Sequence, residues 1–378
     1  MPSPVTEKAL AATVAALCPR PLVILGEDAN HAGAQTLAVK IGLVHALVAR
    51  CGFRGIVFES QFYDMLDLQR SLDTGAASEA QLASAIGALW SRYAIFQPFE
   101  QWLFDEAQAK RLRVGGMDPQ VGGVGARYSP AQLPVALASV LPRDERDLCQ
   151  AAMARHNAWT YDDAHPFDDA AFRTLEQCAT HVVDAIARHP AAASPRLAAM
   201  AASYRLYLDS ANPSGGDPAA RDKGMYRNLT WLLAQWPKGT KVIVWTASVH
   251  ASKAPIPGSR SAAPTFGTYV HDAMGSGSYV LGFSALAGSY GSAGGRGKDH
   301  ELGAPPVDAI ERVATHGGGS DAEPGGADFR FLPWAVLERQ GMRPGRAFNY
   351  ASFQELDWKN YIDGLVILDR ETAAEAGP

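Results

Sequence analysis

Long apolar runs, clustered charge and closely spaced cysteines are all scarce in this chain of 378 residues, and each scarcity removes a class of function. No stretch approaches the ~20 consecutive apolar residues that a membrane-spanning helix needs. Ahead of a short alanine-rich stretch stand Glu7 and Lys8, so the N-terminus lacks the basic start and unbroken apolar segment of a secretory signal. Lysine and arginine number 34 against 39 acidic residues, a formal charge of −5, and form no run able to track a phosphate backbone. Neither nucleic acid nor a membrane is an expected partner. Cys18, Cys51, Cys149 and Cys178 are far apart and form no C-x-x-C pair, which suits a reducing cytoplasm. A soluble, cytoplasmic protein is the expectation.

Two common catalytic signatures are missing as well. No serine has glycine two residues away on both sides, which excludes the nucleophile elbow of the usual α/β serine hydrolases, and no H-E-x-x-H occurs. The Gly-rich stretches 288–297 and 317–326 lack the lysine and threonine of a phosphate loop and read as ordinary loops.

What is present is a globular composition, 47% hydrophobic and 19% charged. Short apolar runs at Leu22–Leu25, Ile56–Phe58, Leu112–Val114, Val242–Trp245, Tyr279–Phe283 and Leu365–Leu368 read as strands. Helical patterns follow several of them, at Gln35–Cys51, Tyr63–Leu72 and Arg221–Trp236. Strands alternating with helices imply an α/β fold with a mostly parallel central sheet flanked by helices. Between Pro130 and Asp209 the chain is rich in alanine and arginine at helical spacing with no convincing strand, and Pro213-Ser214-Gly215-Gly216 closes it as a turn. The expected organisation is a core over 1–129, a helical insertion or cap over 130–215, and the rest of the core over 216–378.

In open α/β sheets ligands bind beyond the carboxyl ends of the strands. Three strand ends carry ionisable residues: Glu27 through His31, Glu59-Ser60, and Thr246 through His250. If these strands are neighbours, two carboxylates and two imidazoles share one rim. A histidine titrating near neutrality can take a proton from water while a carboxylate fixes its tautomer, and water activated in this way attacks an ester carbonyl. The same four groups are also of the type that binds a divalent ion. His45, His156, His165, His181, His189, His271, His300 and His316 read as structural, and the aromatic residues around Trp90, Tyr93 and Phe96 as core or pocket wall.

Leu25-Gly26-Glu27 through His31, Lys40, Phe58-Glu59-Ser60 and Tyr63-Asp64 resembles the erythromycin esterase-like family, whose signature is G-E-x-x-H, then a basic residue, then F/L-E-S/A. Arg221-Asp222, Met225, Asn228-Leu229 and Val244-Trp245 through His250 are similar to its later motifs. So are Gly267, Gly282-Phe283-Ser284, Asp357-Trp358 and Asp363-Gly364. The resemblance implies His31 as general base supported by Glu27, with Glu59 and His250 in the same pocket and no metal or other cofactor. Lys40 and Arg221 would take the family's basic positions, and Ser60, Tyr63 and Ser248 would also contact a small-molecule substrate.

There are departures. Four positions rather than three separate Glu27 from His31, Ala247 stands where macrolide esterases commonly carry a second histidine, and Ile95 stands where a carboxylate is common. The function expected is hydrolysis of an ester or lactone of a small natural product by activated water, without a covalent intermediate. A lyase, isomerase or cyclase using the same base, or a non-catalytic binding protein on the scaffold, are the alternatives.

Overall fold

Runs of Val, Ile and Leu with no polar alternation can be strands only where both faces are covered. In this computed structural model, which describes residues 4–123, 125–258, 263–292, 297–313 and 329–377, those runs form the middle of one seven-stranded sheet. Its strands are β1 (Leu22–Glu27), β2 (Phe53–Gln61), β3 (Arg113–Asp118), β4 (Lys241–Ala247), β5 (Ser278–Ala285), β6 (Phe329–Pro333) and β7 (Gly364–Leu368). They lie in the order β3-β2-β4-β1-β5-β7-β6. Every neighbouring pair is parallel except β7 with β6, so β6 is an antiparallel edge. The six expected strands are all present; β6 was not foreseen.

Alternate side chains along these strands feed two cores. Leu22, Ile24, Val57, Val244 and Ile367 enter one, and Val23, Leu25, Ile56, Trp245 and Val366 enter the other. Each such side chain contributes roughly 1.5–3 kcal/mol by leaving water. The helices Leu133–Ala138, Arg143–Asn157, Asp169–Arg188 and Pro195–Ala211 make up most of the region expected to be helical, and no strand of the sheet interrupts them. Asp168 accepts from the N–H groups of Ala170 and Ala171, and Ser194 from that of Leu197, which fixes where the last two begin. Their apolar faces, with Met153, Leu175 and Leu208, join the same core as Ile24 and Val57, so the helical region is packed onto the sheet rather than standing apart.

The helix Ala34–Cys51 positions the first strand end. It stops at Gly52, whose φ of 73° places it in the left-handed region and lets its N–H reach Leu47 O. With 18 residues and a mean hydropathy of 1.2 it is long and apolar enough to pass the membrane-span criterion, contrary to the expectation that no stretch would. Here it is a core helix, with Leu37, Leu43 and Leu47 fully buried.

Its start has no side-chain cap of its own. The carboxylate of Glu371 serves instead, accepting from Gln35 N at 2.8 Å, from Thr36 N at 3.3 Å and from Thr36 Oγ1 at 2.5 Å. Residues 371–377 then run on as a strap. Thr372 O accepts from Ala34 N, Ala374 N donates to Ala32 O, Glu375 O accepts from Ala94 N, and Gly377 N donates to Arg92 O.

The cysteine spacing concealed two disulfides. Cys18 pairs with Cys51 and Cys149 with Cys178, at Cα separations of 5.1 and 5.4 Å. Such bonds persist in oxidising compartments, which runs against the reducing cytoplasm expected from the spacing. In the first Gly-rich stretch Ser289–Tyr290 pairs with His300–Glu301, so that stretch is not wholly loop. The second, 317–326, lies outside the described residues.

Candidate active site

The parallel register fixes what meets at the sheet's carboxyl edge. Glu27 pairs with Ala247, and Phe58 with Trp245, so Glu59 follows directly beside Thr246. Between Phe58 and Gln61 the pairing with β3 slips by one residue, and such a bulge re-aims the side chains within it. Gly116 on β3 makes room, because a Cβ there would press on the carbonyls of Ser60 and Gln61.

Past Glu27 the chain turns sharply. Asp28 Oδ2 accepts from both the backbone N–H and the side-chain amide of Asn30 at 2.9 Å, and Asp28 O accepts from His31 N at 2.9 Å. His31 takes a left-handed φ of 57°, a conformation uncommon outside glycine and often found at functional sites. This turn absorbs the extra residue in the motif. Despite the longer spacing, His31 Nδ1 lies 2.8 Å from Glu27 Oε1.

Glu27 is also held by Lys40 Nζ at 2.8 Å and Trp90 Nε1 at 2.6 Å. Burial opposes its ionisation, but the charges of Lys40 and His31 outweigh that and keep its pKa below the ordinary carboxylate value. The indole edge of Trp90 also packs against His31, ring centres 5.1 Å apart. Carboxylate and indole together fix the imidazole with Nδ1 engaged. Among the described residues no protein group hydrogen-bonds its Nε2.

Glu59 organises the other half. Its Oε2 accepts from Thr246 Oγ1 at 2.6 Å and Ala247 N at 2.9 Å, and its Oε1 from Arg221 Nη2 at 2.9 Å. Burial would raise its pKa, yet His250, Arg221 and His31 hold it well below the usual range. Arg221 grips Asp118 as well, through Nε at 3.2 Å and Nη2 at 2.8 Å. His250 Nδ1 meets Asp222 Oδ1 at 2.8 Å, while Nε2 faces Arg221 Nη1 at 3.1 Å and Glu59 Oε1 at 3.4 Å. The neutral ring accepts from Arg221 through Nε2; the protonated ring donates toward Glu59.

Burial favours the neutral ring of His250, but Glu59 and Asp222 prevail and raise its pKa above the usual histidine value. A raised histidine adds stability fully below the unfolded pKa of about 6.5, and that contribution fades as pH climbs through the folded value. The NMR titration of the His250 ring is expected to have its midpoint above 6.5, and Asp222→Asn to bring it down. A native midpoint at or below 6.5 contradicts this electrostatic picture.

Arg221 and its contact partner His250 line two different clefts. One, of about 260 Å³, contains Glu59, Ser60, Asp118 and Arg221 at its polar end and Ile86, Leu89 and Val121 among its apolar walls. The other, of about 300 Å³, is lined by His250, Asp222, Ile256 and Phe348. Among the described residues no group of three or more His, Cys, Asp or Glu is arranged to hold a metal ion; Glu27 and Glu59 are already engaged by Lys40 and Arg221.

Three expected substrate contacts are placed elsewhere. Lys40 is fully buried between Glu27 and the Trp245 ring, 4.1 Å from its centre. Tyr63 is fully buried and donates to Pro119 O at 2.8 Å. Ser248 is packed beneath Gly26, where a Cβ would strike its Oγ. Ser60 does line the first cleft, with its Oγ donating to Ile86 O at 2.7 Å. Asp118 was overlooked because the run Leu112–Val114 marks the strand as ending too early, and Trp90 because an aromatic residue reads first as packing.

A profile of the erythromycin esterase family matches residues 48–362, most of the chain, beginning after the segment that carries Glu27, His31 and Lys40. Among solved structures, a protein from Bacillus cereus is similar with a TM-score of 0.68 at 15% identity, covering 94% of this chain and 90% of its own. A succinoglycan biosynthesis protein gives 0.70 at 15% identity, covering 99% and 93%. A mutant of the erythromycin esterase EreC in its open conformation gives 0.68 at 14% identity, covering 98% and 94%. At these identities the likeness is one of fold. No curated protein sequence matches the chain.

Proposed function

This chain belongs to the erythromycin esterase family, and on that footing we propose that it hydrolyses an ester or lactone of a compact organic substrate with water activated by His31. The observation that carries the reading is the His31 ring, bound through Nδ1 to the ionised Glu27 at 2.8 Å with Nε2 left to act as base. Water gives its proton to Nε2 as its oxygen bonds to the carbonyl carbon. Glu27 stabilises the resulting imidazolium.

Arg221, at the polar end of the first cleft, is the cation for the developing oxyanion. Collapse breaks the carbon–oxygen bond to the leaving group, which takes the proton back from His31 Nε2 and so restores the neutral ring. The net change is one added water and no covalent enzyme intermediate. The charges of His31 and His250 both act on Glu59, which supports their joint work at one centre.

The test is turnover of a panel of lactones and simple esters in ¹⁸O-labelled water, read by mass spectrometry. The expected product has gained one water with the label in the acid, and intact-protein mass shows no adduct during turnover. An unchanged mass or a lost fragment identifies an isomerase or a lyase and overturns the hydrolase reading.

A further inference from the structure

Buried polar atoms in native structures are nearly always partnered, so an orphan asks for a ligand. In the first cleft one cation has no counter-charge among the described residues. Arg92 lines that cleft, and its Nε is shut off from solvent with no hydrogen-bond partner. Among the described residues its guanidinium makes no ion pair. Glu59 and Asp118, the acidic residues of the same cleft, are both taken up by Arg221. Arg92 as a whole is only half-buried and lines the cleft, so an anion held there completes it.

Its surroundings limit what that is. Ala85, Ile86, Leu89 and Val121 wall the cleft, and its volume of about 260 Å³ holds a short chain rather than a large ring. Arg92 is also built into the catalytic frame. It stands two residues after Trp90, the indole donor to Glu27, and the strap holds its carbonyl through Gly377 N at 2.6 Å.

We infer that the substrate's acyl part carries an anionic group that pairs with Arg92, so that the enzyme takes small half-esters or acidic lactones in preference to neutral ones. The arrangement is that of an apolar chain bridging two arginines, with the carbonyl at Arg221 and the carboxylate at Arg92. A planar guanidinium without a counter-charge suits a carboxylate. The inference rests on the hydrolase reading for the carbonyl, but its binding component stands separately.

The experiment therefore reads binding and turnover apart. Monomethyl glutarate and dimethyl glutarate are titrated calorimetrically into the His31→Ala protein, alone and combined with Arg92→Gln or Arg92→Lys. The half-ester is expected to bind roughly 10- to 100-fold more tightly than the diester, as befits a hydrogen-bonded charge. Arg92→Gln abolishes that preference and Arg92→Lys keeps part of it, which separates loss of charge from loss of fold.

Equal affinities, a preference that survives Arg92→Gln, or no binding of either ester at millimolar concentration overturns the inference. Turnover by the unmutated protein then separates the two proposals. Arg92-dependent binding without hydrolysis sinks only the hydrolase reading, and hydrolysis indifferent to the carboxylate sinks only this one.

Discussion

His31→Ala is expected to lower kcat/KM on a hydrolysed ester by about 10²- to 10⁴-fold, the usual worth of a positioned general base. The change removes a buried imidazole that combines a carboxylate on Nδ1 with an unbonded Nε2. It leaves Glu27 still held by Lys40 and Trp90, so the surrounding frame is expected to persist, with unchanged circular dichroism. Backbone strain is a separate matter, because the φ of 57° at position 31 is costly for alanine. His31→Asn is the better-matched control, since asparagine tolerates that conformation and supplies no base. Both variants should be equally inactive. A loss under about tenfold in the asparagine variant, with substrate saturating, rules out His31 as the base.

The second large effect concerns stability. Lys40→Met is expected to cost about 3–5 kcal/mol, the usual result of taking one partner from a buried ion pair. Lys40 has no exposed surface, its Nζ lies 2.8 Å from Glu27, and burial pushes its pKa down to about 8, so it still carries its charge at neutral pH. Without it, Glu27 loses a main reason for being ionised and burial takes over.

The pH dependence follows in sign. In the native protein the depressed Glu27 contributes stability above its unfolded pKa of about 4.3, and loses it as pH falls through the lower folded value. In the variant a raised Glu27 is a growing burden as pH increases. The gap between the two proteins in urea unfolding should thus be wide at pH 7 and narrow at pH 5. Adding Glu27→Gln should recover part of the loss, which makes the pair a double-mutant cycle. A gap that does not change with pH means that packing against Trp245, rather than charge, is what Lys40 provides.

Much of this arrangement can be seen in the residues themselves, and the parts that cannot share a cause. Strands such as Ile56–Phe58 and Val242–Trp245 are legible because burial on both faces leaves an unbroken apolar signature. Glu27, His31, Glu59 and His250 stand out because they directly follow such runs. β6 escapes notice because Arg330 interrupts it and Pro333 ends it, as an antiparallel edge allows. Trp90 and Glu371 escape for a different reason. Their partners, Glu27 and Thr36, are 63 and 335 residues away, and no local pattern reports a contact over such a distance. The reverse error arises at Lys40 and Tyr63, where a polar residue near a motif suggests a ligand contact but the helix turns it inward. The cysteine pairs join positions 33 and 29 residues apart, which spacing alone does not reveal.

The strap also has a consequence for the order of events during synthesis. Gln35 leaves the ribosome 336 residues before the carboxylate that receives its N–H. At roughly 5–20 residues per second that is a wait of about 17 to 67 seconds. Through that interval the first turn of the helix behind His31 has only water to bond, and the loop bearing Trp90 and Arg92 is untied on one side. Translation thus carries its own delay line. β4, which lies between β1 and β2, must emerge before those strands can be joined, and the loops bearing His31 and Trp90 are fastened to one another only later, once residues 371–377 have been made.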